Sequence, residues 1–551
     1  MAKIVIAERG AAIDPLKLSQ PLGAALVFLG LAGSLPIMHG SQGCASFAKA
    51  LLTRHFNEPI PLQTTAISEV TAVVGSGEAM VATLDAIRKK QRPDVIGLLT
   101  TGVTEVSGED VGGQLRSYLA AWAEADTDSA RPDGAPDTTT ASAPLIIGVS
   151  TPDFVGGLTD GWSAALEALI RAVIPAPTTA RGPADGATAL VAASTPAALS
   201  RSAGTARAIP ATEPAATAAQ VTTAVPASPL TRQARTASVT RPAGSAGEDG
   251  DLIAILAGPG LTAADLDELA GLVRAFGLVP VLVPDLSGSL DGHLAPAWQP
   301  TTTGGTTLAE LRSLRDARAV LVAGAAATTA GELLAARTGA PLFDHPHLTG
   351  LTEMDALVSE LMVVSGRTAP REVRRARERL ADGLLDAHFV LGGVRVAIAA
   401  EPDLLVAAGS LLHDAGAEIV TAMAPTSEPV LADAPWAEVV VGDLDEFAER
   451  AAAAGAELVL GSSHTREVAH RIGAAFLPLG FPIFDRLGAA LASTAGYAGS
   501  LRLLLDAANR VLDHGPGGHT SDGRSTTDLT RQPGATADPD ELDDLFQESP
   551  C

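Results

Sequence analysis

The residue best able to do chemistry in this chain is Cys44, set in the segment PIMHGSQGCASFAKALLTRHFNE between Pro36 and Glu58. A short apolar stretch runs into Gly40-Ser41-Gln42-Gly43, and the pattern beyond it predicts a helix opening at or just after Cys44. Gly40 and Gly43 allow a tight turn and the close approach of a bulky group. Unsatisfied amides at a helix start favour a thiolate beside them. Such a sulfur suits a metal. Three other readings stay open on these residues alone. Cys44 can fill a strand–helix turn as a small core residue. It can act as a thiol nucleophile with His39 or His55 as base. It can also join His39 and His55 around zinc, although the short regular ligand spacings of zinc sites are missing.

Counting ligands constrains the metal reading. A [4Fe–4S] cluster takes four protein ligands, usually cysteine thiolates. The chain holds two cysteines, and the second, Cys551, ends an acidic tail (DPDELDDLFQESPC) where a solvent-exposed thiol is expected. Cys44 would therefore share a cluster with thiolates of another polypeptide. His39, Gln42, Gly43, Arg54 and His55 surround it and could orient or neutralise a cluster, or serve as structural hydrogen-bonding groups. Glu69 and Glu105 lie in loop-like contexts where a carboxylate acts as a cap or dipole partner. The run Arg371, Arg374, Arg375, Arg377 and Arg379 falls on a predicted helix with Glu372 and Glu378, a solvated or subunit-facing surface. No G-x-G-x-x-G follows a strand, and no P-loop or G-x-S-x-G elbow occurs.

The elements that must position Cys44 follow from composition and period. At 551 residues the chain is long enough for about three or four domains. Hydrophobic residues make up 46% and aromatics only 3%, so the cores are aliphatic. The net charge of −25 argues against a nucleic-acid partner and an anionic membrane. The near-spanning run Pro21–Met38 is broken by Gly23, Gly30, Gly33, Ser34 and Pro36, which predicts a buried helix, a turn and a short strand. The start, MAKIVIAERG, has no signal pattern, and a soluble, cytoplasmic chain is expected. Strands are predicted at 94–100, 144–149, 252–256, 278–283, 319–323, 394–400, 417–422, 437–441 and 457–461, with helices such as 262–276 and 403–415 between them. Alternating strands and helices imply parallel sheets covered on both faces. The expected architecture is α/β, with doubly wound, Rossmann-like parallel-sheet domains in series: 1–175 with Cys44, 251–390 and 391–514. Residues 176–250 (Ala/Thr/Pro-rich), 125–143 and 515–551 read as disordered.

The stretches DPLKLSQPLGAALVFLGL (14–31) and LPIMHGSQGCASFAKALLTRHFNEPIPLQTTAISE (35–69) resemble the nitrogenase component 1 superfamily, in its NifK/NifN-like branch. The likeness continues through TTGVTEVSGED (100–110), TPDFVGGLTDGW (151–162), LVPDLSGSLDGHLAPAWQPTTTGGTTLAELR (282–312), LFDHPHLTGLTEMDALV (342–358), DAHFVLGGVRVAIAAEPDLL (386–405) and LGFPIFDRLGAALASTAGYAGS (479–500). In that family, the catalytic β subunit carries three cysteines for an eight-iron cluster where this chain has Ser19, Cys44 and Gly102. Only Cys44 remains, which implies the cofactor-assembly scaffold: one thiolate here and three from a NifE-like partner around a [4Fe–4S] cluster, in a complex with two of each chain. The resemblance also implies an iron–molybdenum cofactor precursor held mainly on the partner, a NifB-type precursor donor and the Fe protein as transient partners, and addition of molybdenum and homocitrate before transfer. A β-type subunit of a nitrogenase-like reductase is the alternative. Two departures are the insertion at 176–250 and Leu491, where a polar or basic residue is expected.

Overall fold

The computed structural model describes residues 1–7, 16–128, 143–176, 251–292 and 297–514. Residues 177–250 of the expected insertion at 176–250, residues 129–142 of that at 125–143, the tail from 515 and Cys551 lie outside the described residues. After a short strand β1 (Lys3–Ile6), the chain builds its first unit from α1 (Gln20–Leu29), β2 (Ser34–His39), α2 (Gln42–Phe56), β3 (Gln63–Thr64), α3 (Glu69–Val74), α4 (Gly77–Lys90), β4 (Val95–Thr100), α5 (Gly102–Ser107), α6 (Val111–Asp128), β5 (Leu145–Val149) and α7 (Leu158–Val173). The strands lie parallel in the order β3-β2-β4-β5. Every residue of β2 and β4 is buried, as largely apolar strands covered on both faces must be. The near-spanning run resolves into α1, a turn with Gly33 at φ 62°, and β2.

All ten residues of α1 are buried, and Leu22, Leu26, Phe28 and Leu29 each contribute roughly 1.5–3 kcal/mol by leaving water. Its closest neighbour is α7, and glycine makes the approach possible. A Cβ on Gly161 would stand 1.9 Å from the Gln20 carbonyl oxygen, and one on Gly23 would stand 1.9 Å from that of Leu158. Among the described residues, no helix is long and apolar enough to cross a membrane.

The second unit comprises β6 (Leu252–Ala257), α8 (Ala263–Ala275), β7 (Val279–Val283), α9 (Leu308–Ser313), β8 (Ala319–Ala323), α10 (Thr328–Thr338), β9 (Leu342–His345), α11 (Leu351–Ser365) and α12 (Arg371–Leu391). Its parallel order, β7-β6-β8-β9, repeats that of the first. The third comprises β10 (Arg395–Ala399), α13 (Pro402–Asp414), β11 (Glu418–Ala424), β12 (Glu438–Val441), α14 (Leu444–Ala453), β13 (Leu458–Gly461), α15 (Arg466–Ile472), β14 (Ala475–Pro478) and α16 (Gly496–His514). Its order is β1-β12-β11-β10-β13-β14. The first strand thus leaves the N-terminal unit: Lys3–Ile6 pair in parallel with Glu438–Val441. Helix α6 likewise runs to Asp128, past the expected start of an insertion at 125. Trp162 joins the first two units by donating its indole N–H to the Ala257 carbonyl at 2.9 Å.

Candidate functional site

In the first sheet, β2 and β4 are neighbours, and the chain departs from them to opposite sides, towards β3 and β5. Ligands of doubly wound sheets bind beyond the carboxyl ends of the strands at such a switch point. Cys44 lies there. Helix α2 opens at Gln42, two residues earlier than expected, with Ser41 as its cap residue. The Ser41 hydroxyl caps no backbone amide and instead lies 3.4 Å from the Cys44 sulfur. The first-turn amides of α2 therefore have no side-chain cap, and the partly exposed Cys44 stands among them.

The turn before Cys44 is held by a directed chain of hydrogen bonds. Gly40 N–H donates to the Thr65 hydroxyl at 3.2 Å, and that hydroxyl lies 3.0 Å from His39 Nδ1. On the other side of the ring, His39 Nε2 lies 3.0 Å from the Ser76 hydroxyl, which donates to Glu109. Ser76 spends its proton on the carboxylate, so His39 must donate from Nε2 and accept at Nδ1. Burial lowers its pKa to about 4, against the opposing charge of Glu109. His39 is a neutral, fully buried brace. The Thr101 and Thr104 hydroxyls each donate to its carbonyl at 3.1 Å. A Cβ on Gly40 would stand 2.2 Å from the Thr101 hydroxyl oxygen, which fixes glycine at that corner.

His55 is drawn elsewhere. Its Nδ1 accepts the Ile483 N–H at 2.9 Å, its ring meets Phe56 and Phe481 edge-on, and burial lowers its pKa to about 4. Neither histidine carries charge at neutral pH. Among the described residues, no three His, Cys, Asp or Glu side chains are grouped to hold a metal ion, so the local zinc arrangement is not formed. The thiol-nucleophile pairing fails likewise: the Cys44 sulfur bonds Ser41, and both His39 ring nitrogens are engaged by hydroxyls. The Arg54 guanidinium lies 4.1 Å over the Phe484 ring, and Gln42 and Gly43 are exposed at the helix start. Glu69 and Glu105 fall in the first turns of α3 and α5, as dipole partners should; Glu105 also accepts the Ser150 hydroxyl at 2.6 Å.

One neighbour escaped the sequence reading. Asp153, on the loop after β5, faces the amides of Gly102 and Gln20 at the starts of α5 and α1. Burial raises its carboxyl above the usual range, against those amides and Lys17. Its Oδ1 is buried without a hydrogen-bond partner. The only sequence signal was its place beside the exposed apolar pair Phe154 and Val155. Exposed apolar side chains follow the carboxyl end of every strand in this sheet: Phe47 after β2, Val70 and Val73 after β3, Val106 after β4, and Phe154 after β5. Leu491, also exposed, sits in a 3₁₀ turn packed against α2. These exposed apolar side chains share the carboxyl-end side of the sheet with Cys44.

The sequence matches the family model described as nitrogenase component 1 type oxidoreductase over residues 19–512. It is 35% identical over 514 residues to the nitrogenase iron-molybdenum cofactor biosynthesis protein NifN of Bradyrhizobium diazoefficiens, covering 93% of this chain and 92% of that protein. The protein of that name from Rhodobacter capsulatus is 34% identical over 555 residues, with full coverage of both chains. Among solved structures, nitrogenase Cp1 at pH 6.5 superposes with a TM-score of 0.71 at 23% identity, covering 92% of this chain and 95% of that one.

Proposed function

The chain belongs to the nitrogenase component 1 type oxidoreductase family, and from that membership we propose that it is a subunit of the scaffold on which the iron–molybdenum cofactor of nitrogenase is matured. The printed name shared by relatives that match nearly its whole length supports this reading. The observation that carries it is Cys44: the one free cysteine among the described residues, partly exposed at an uncapped helix start on the carboxyl-end side of the sheet.

Among the described residues, the donor set fits one quarter of a [4Fe–4S] cluster and no whole metal site. Cys44 would supply one thiolate, and a NifE-like partner would cover the apolar face and supply three. When bound, the cluster supplies an electron relay or a clamp between subunits. This chain's residues do the holding: the start of α2 presents Cys44, and His39 and Thr65 fix the turn before it. The cofactor precursor is cargo, held mainly on the partner in a complex with two copies of each chain. A NifB-type donor delivers it, and the Fe protein acts while molybdenum and homocitrate are added. The place of work is the cytoplasm.

Anaerobic co-expression with the NifE-like partner tests the reading. The wild-type complex should contain iron beyond the precursor and give a cluster EPR signal that Cys44→Ala abolishes or reshapes. A complex with Cys44 free to alkylate and no iron shared between subunits would sink it. Substrate reduction without transfer of cofactor would move the chain to the reductase alternative.

A further inference from the structure

The run of arginines on α12 divides in two. Arg377 is engaged: its guanidinium makes bidentate contacts of 2.7–3.0 Å with Asp355, which also accepts the Tyr497 hydroxyl at 2.6 Å. Arg371, Arg374, Arg375 and Arg379 are exposed and form no ion pair among the described residues. Arg371, Arg375 and Arg379 are spaced four residues apart and so lie along one face of the helix. This cationic stripe stands on a chain of net charge −25.

Beside it lies a groove of about 430 Å³ between α12 and α16, floored by Ala376, Leu501 and Leu505 and edged by Arg379 and Arg502. Its one acid, Asp506, holds Arg502 loosely at 3.7 Å. An adjoining groove towards α8 is lined by Asp265, Glu268 and Glu372, so its charge is opposite. The basic groove therefore suits an acidic ligand with an apolar face. The chain carries such a segment after α16. Residues 540–548 place Leu542, Leu545 and Phe546 at spacings of three and four, among Asp540, Glu541, Asp543, Asp544 and Glu548. That is the pattern of a helix-in-groove ligand with anionic flanks.

We propose that this acidic C-terminal segment docks in the groove between α12 and α16, with its carboxylates on Arg375, Arg379 and Arg502. Reach favours this occupant over a separate molecule. The groove spans Ala498 to Asn509 on α16, roughly 8 to 24 Å back from His514 at 1.5 Å per residue. The 25 residues 515–539 are rich in Gly, Ser and Thr, and a linker of that composition has a root-mean-square span of about 28 Å. Tether and distance match, so the local concentration of the segment is on the order of millimolar. The docked tail covers an apolar strip that would otherwise be open to other chains.

A labelled peptide of residues 535–551 tests the proposal by titration into two forms of the complex with the partner subunit. One form carries the full chain; the other ends at His514. The tail-less form should bind the peptide at least ten-fold more tightly, because the tethered tail competes in the full chain. Binding to the tail-less form should weaken about ten-fold with Arg375→Glu and Arg379→Glu, and again when salt rises from 50 to 300 mM. Should those variants fold poorly, Asp540→Lys, Asp543→Lys and Asp544→Lys in the peptide leave the protein untouched and must abolish binding. Equal affinity for the two forms, or no binding to either, overturns the proposal. Protection of the groove that persists without the tail assigns it to the partner subunit or to a second copy, and overturns it too.

Discussion

His39 is the residue whose chemistry is most constrained, because two hydroxyls fix its tautomer, burial fixes its charge and two more hydroxyls hold its backbone. Thr65 and Ser76 hold its ring, and Thr101 and Thr104 hold its carbonyl. Its pKa falls from 6.5 to about 4 through burial. The unfolded chain therefore takes up a proton between pH 6.5 and 4 that the folded chain refuses. The stability due to the neutral ring is complete above pH 6.5 and is lost as pH falls towards 4. His39→Gln keeps a donor but abandons one hydroxyl, so it should cost roughly 1–3 kcal/mol at pH 7.5. At pH 5 the gap between variant and wild type should narrow by about 2 kcal/mol, because the variant has no proton to refuse. Urea denaturation at the two pH values measures this directly. A gap that is constant with pH would mean the ring is not held neutral.

At the scale of elements, the α1–α7 crossing decides where the start of α1 lies, and with it Gln20 opposite Asp153. Gly161→Ala would drive a methyl against the Gln20 carbonyl, a backbone atom that cannot rotate away. A loss of at least 3 kcal/mol is expected, at or above the usual range for overpacking, visible as a lower midpoint in thermal unfolding. Gly271→Ala, which meets nothing within 4 Å on α8, should instead be neutral or slightly stabilising. The sequence made such elements visible unevenly. Strands at 95–100, 252–257 and 319–323 were legible because both faces are covered and every residue but Thr100 is apolar or glycine. Strand β1 was not, because its partner lies at 438–441 and nothing local marks a pairing that distant. Strands β9 and β14, LFDH and AFLP, are too short and mixed to show a period. The start of α2 was placed two residues late because Ser41 was read as part of a glycine turn, although serine is a favoured cap residue. Cys44 stood out through its glycines, whereas Asp153 and the His39 brace exist only through neighbours from other strands.

On the scale of the whole molecule, the three units meet at a cluster of acids. Glu401 and Asp403 follow β10, Glu428 follows β11, and Asp160 opens α7 of the first unit. The Thr159 hydroxyl reaches across to Glu401 at 2.8 Å, and a Cβ on Gly258 or Gly324 of the second unit would lie 3.0 or 3.2 Å from the Asp403 carboxylate. Burial, against the Thr159 hydrogen bond and with the charges of Asp403, Asp160 and Glu428, raises Glu401 from 4.5 to about 7. Burial chiefly raises Glu428 to about 7 and Asp403 to about 6. Here the folded chain keeps protons that the unfolded chain has lost. The sign is opposite to that of His39: stability is complete below the unfolded values near 4 and drains away as pH rises to 7. Glu401→Gln keeps an acceptor for Thr159 and removes one charge from the junction. It should therefore stabilise the chain by roughly 1–3 kcal/mol at pH 8 and much less at pH 5. Calorimetric unfolding at both pH values decides the matter. A gain of the same size at both would show that burial does not hold a proton on Glu401 in the folded chain.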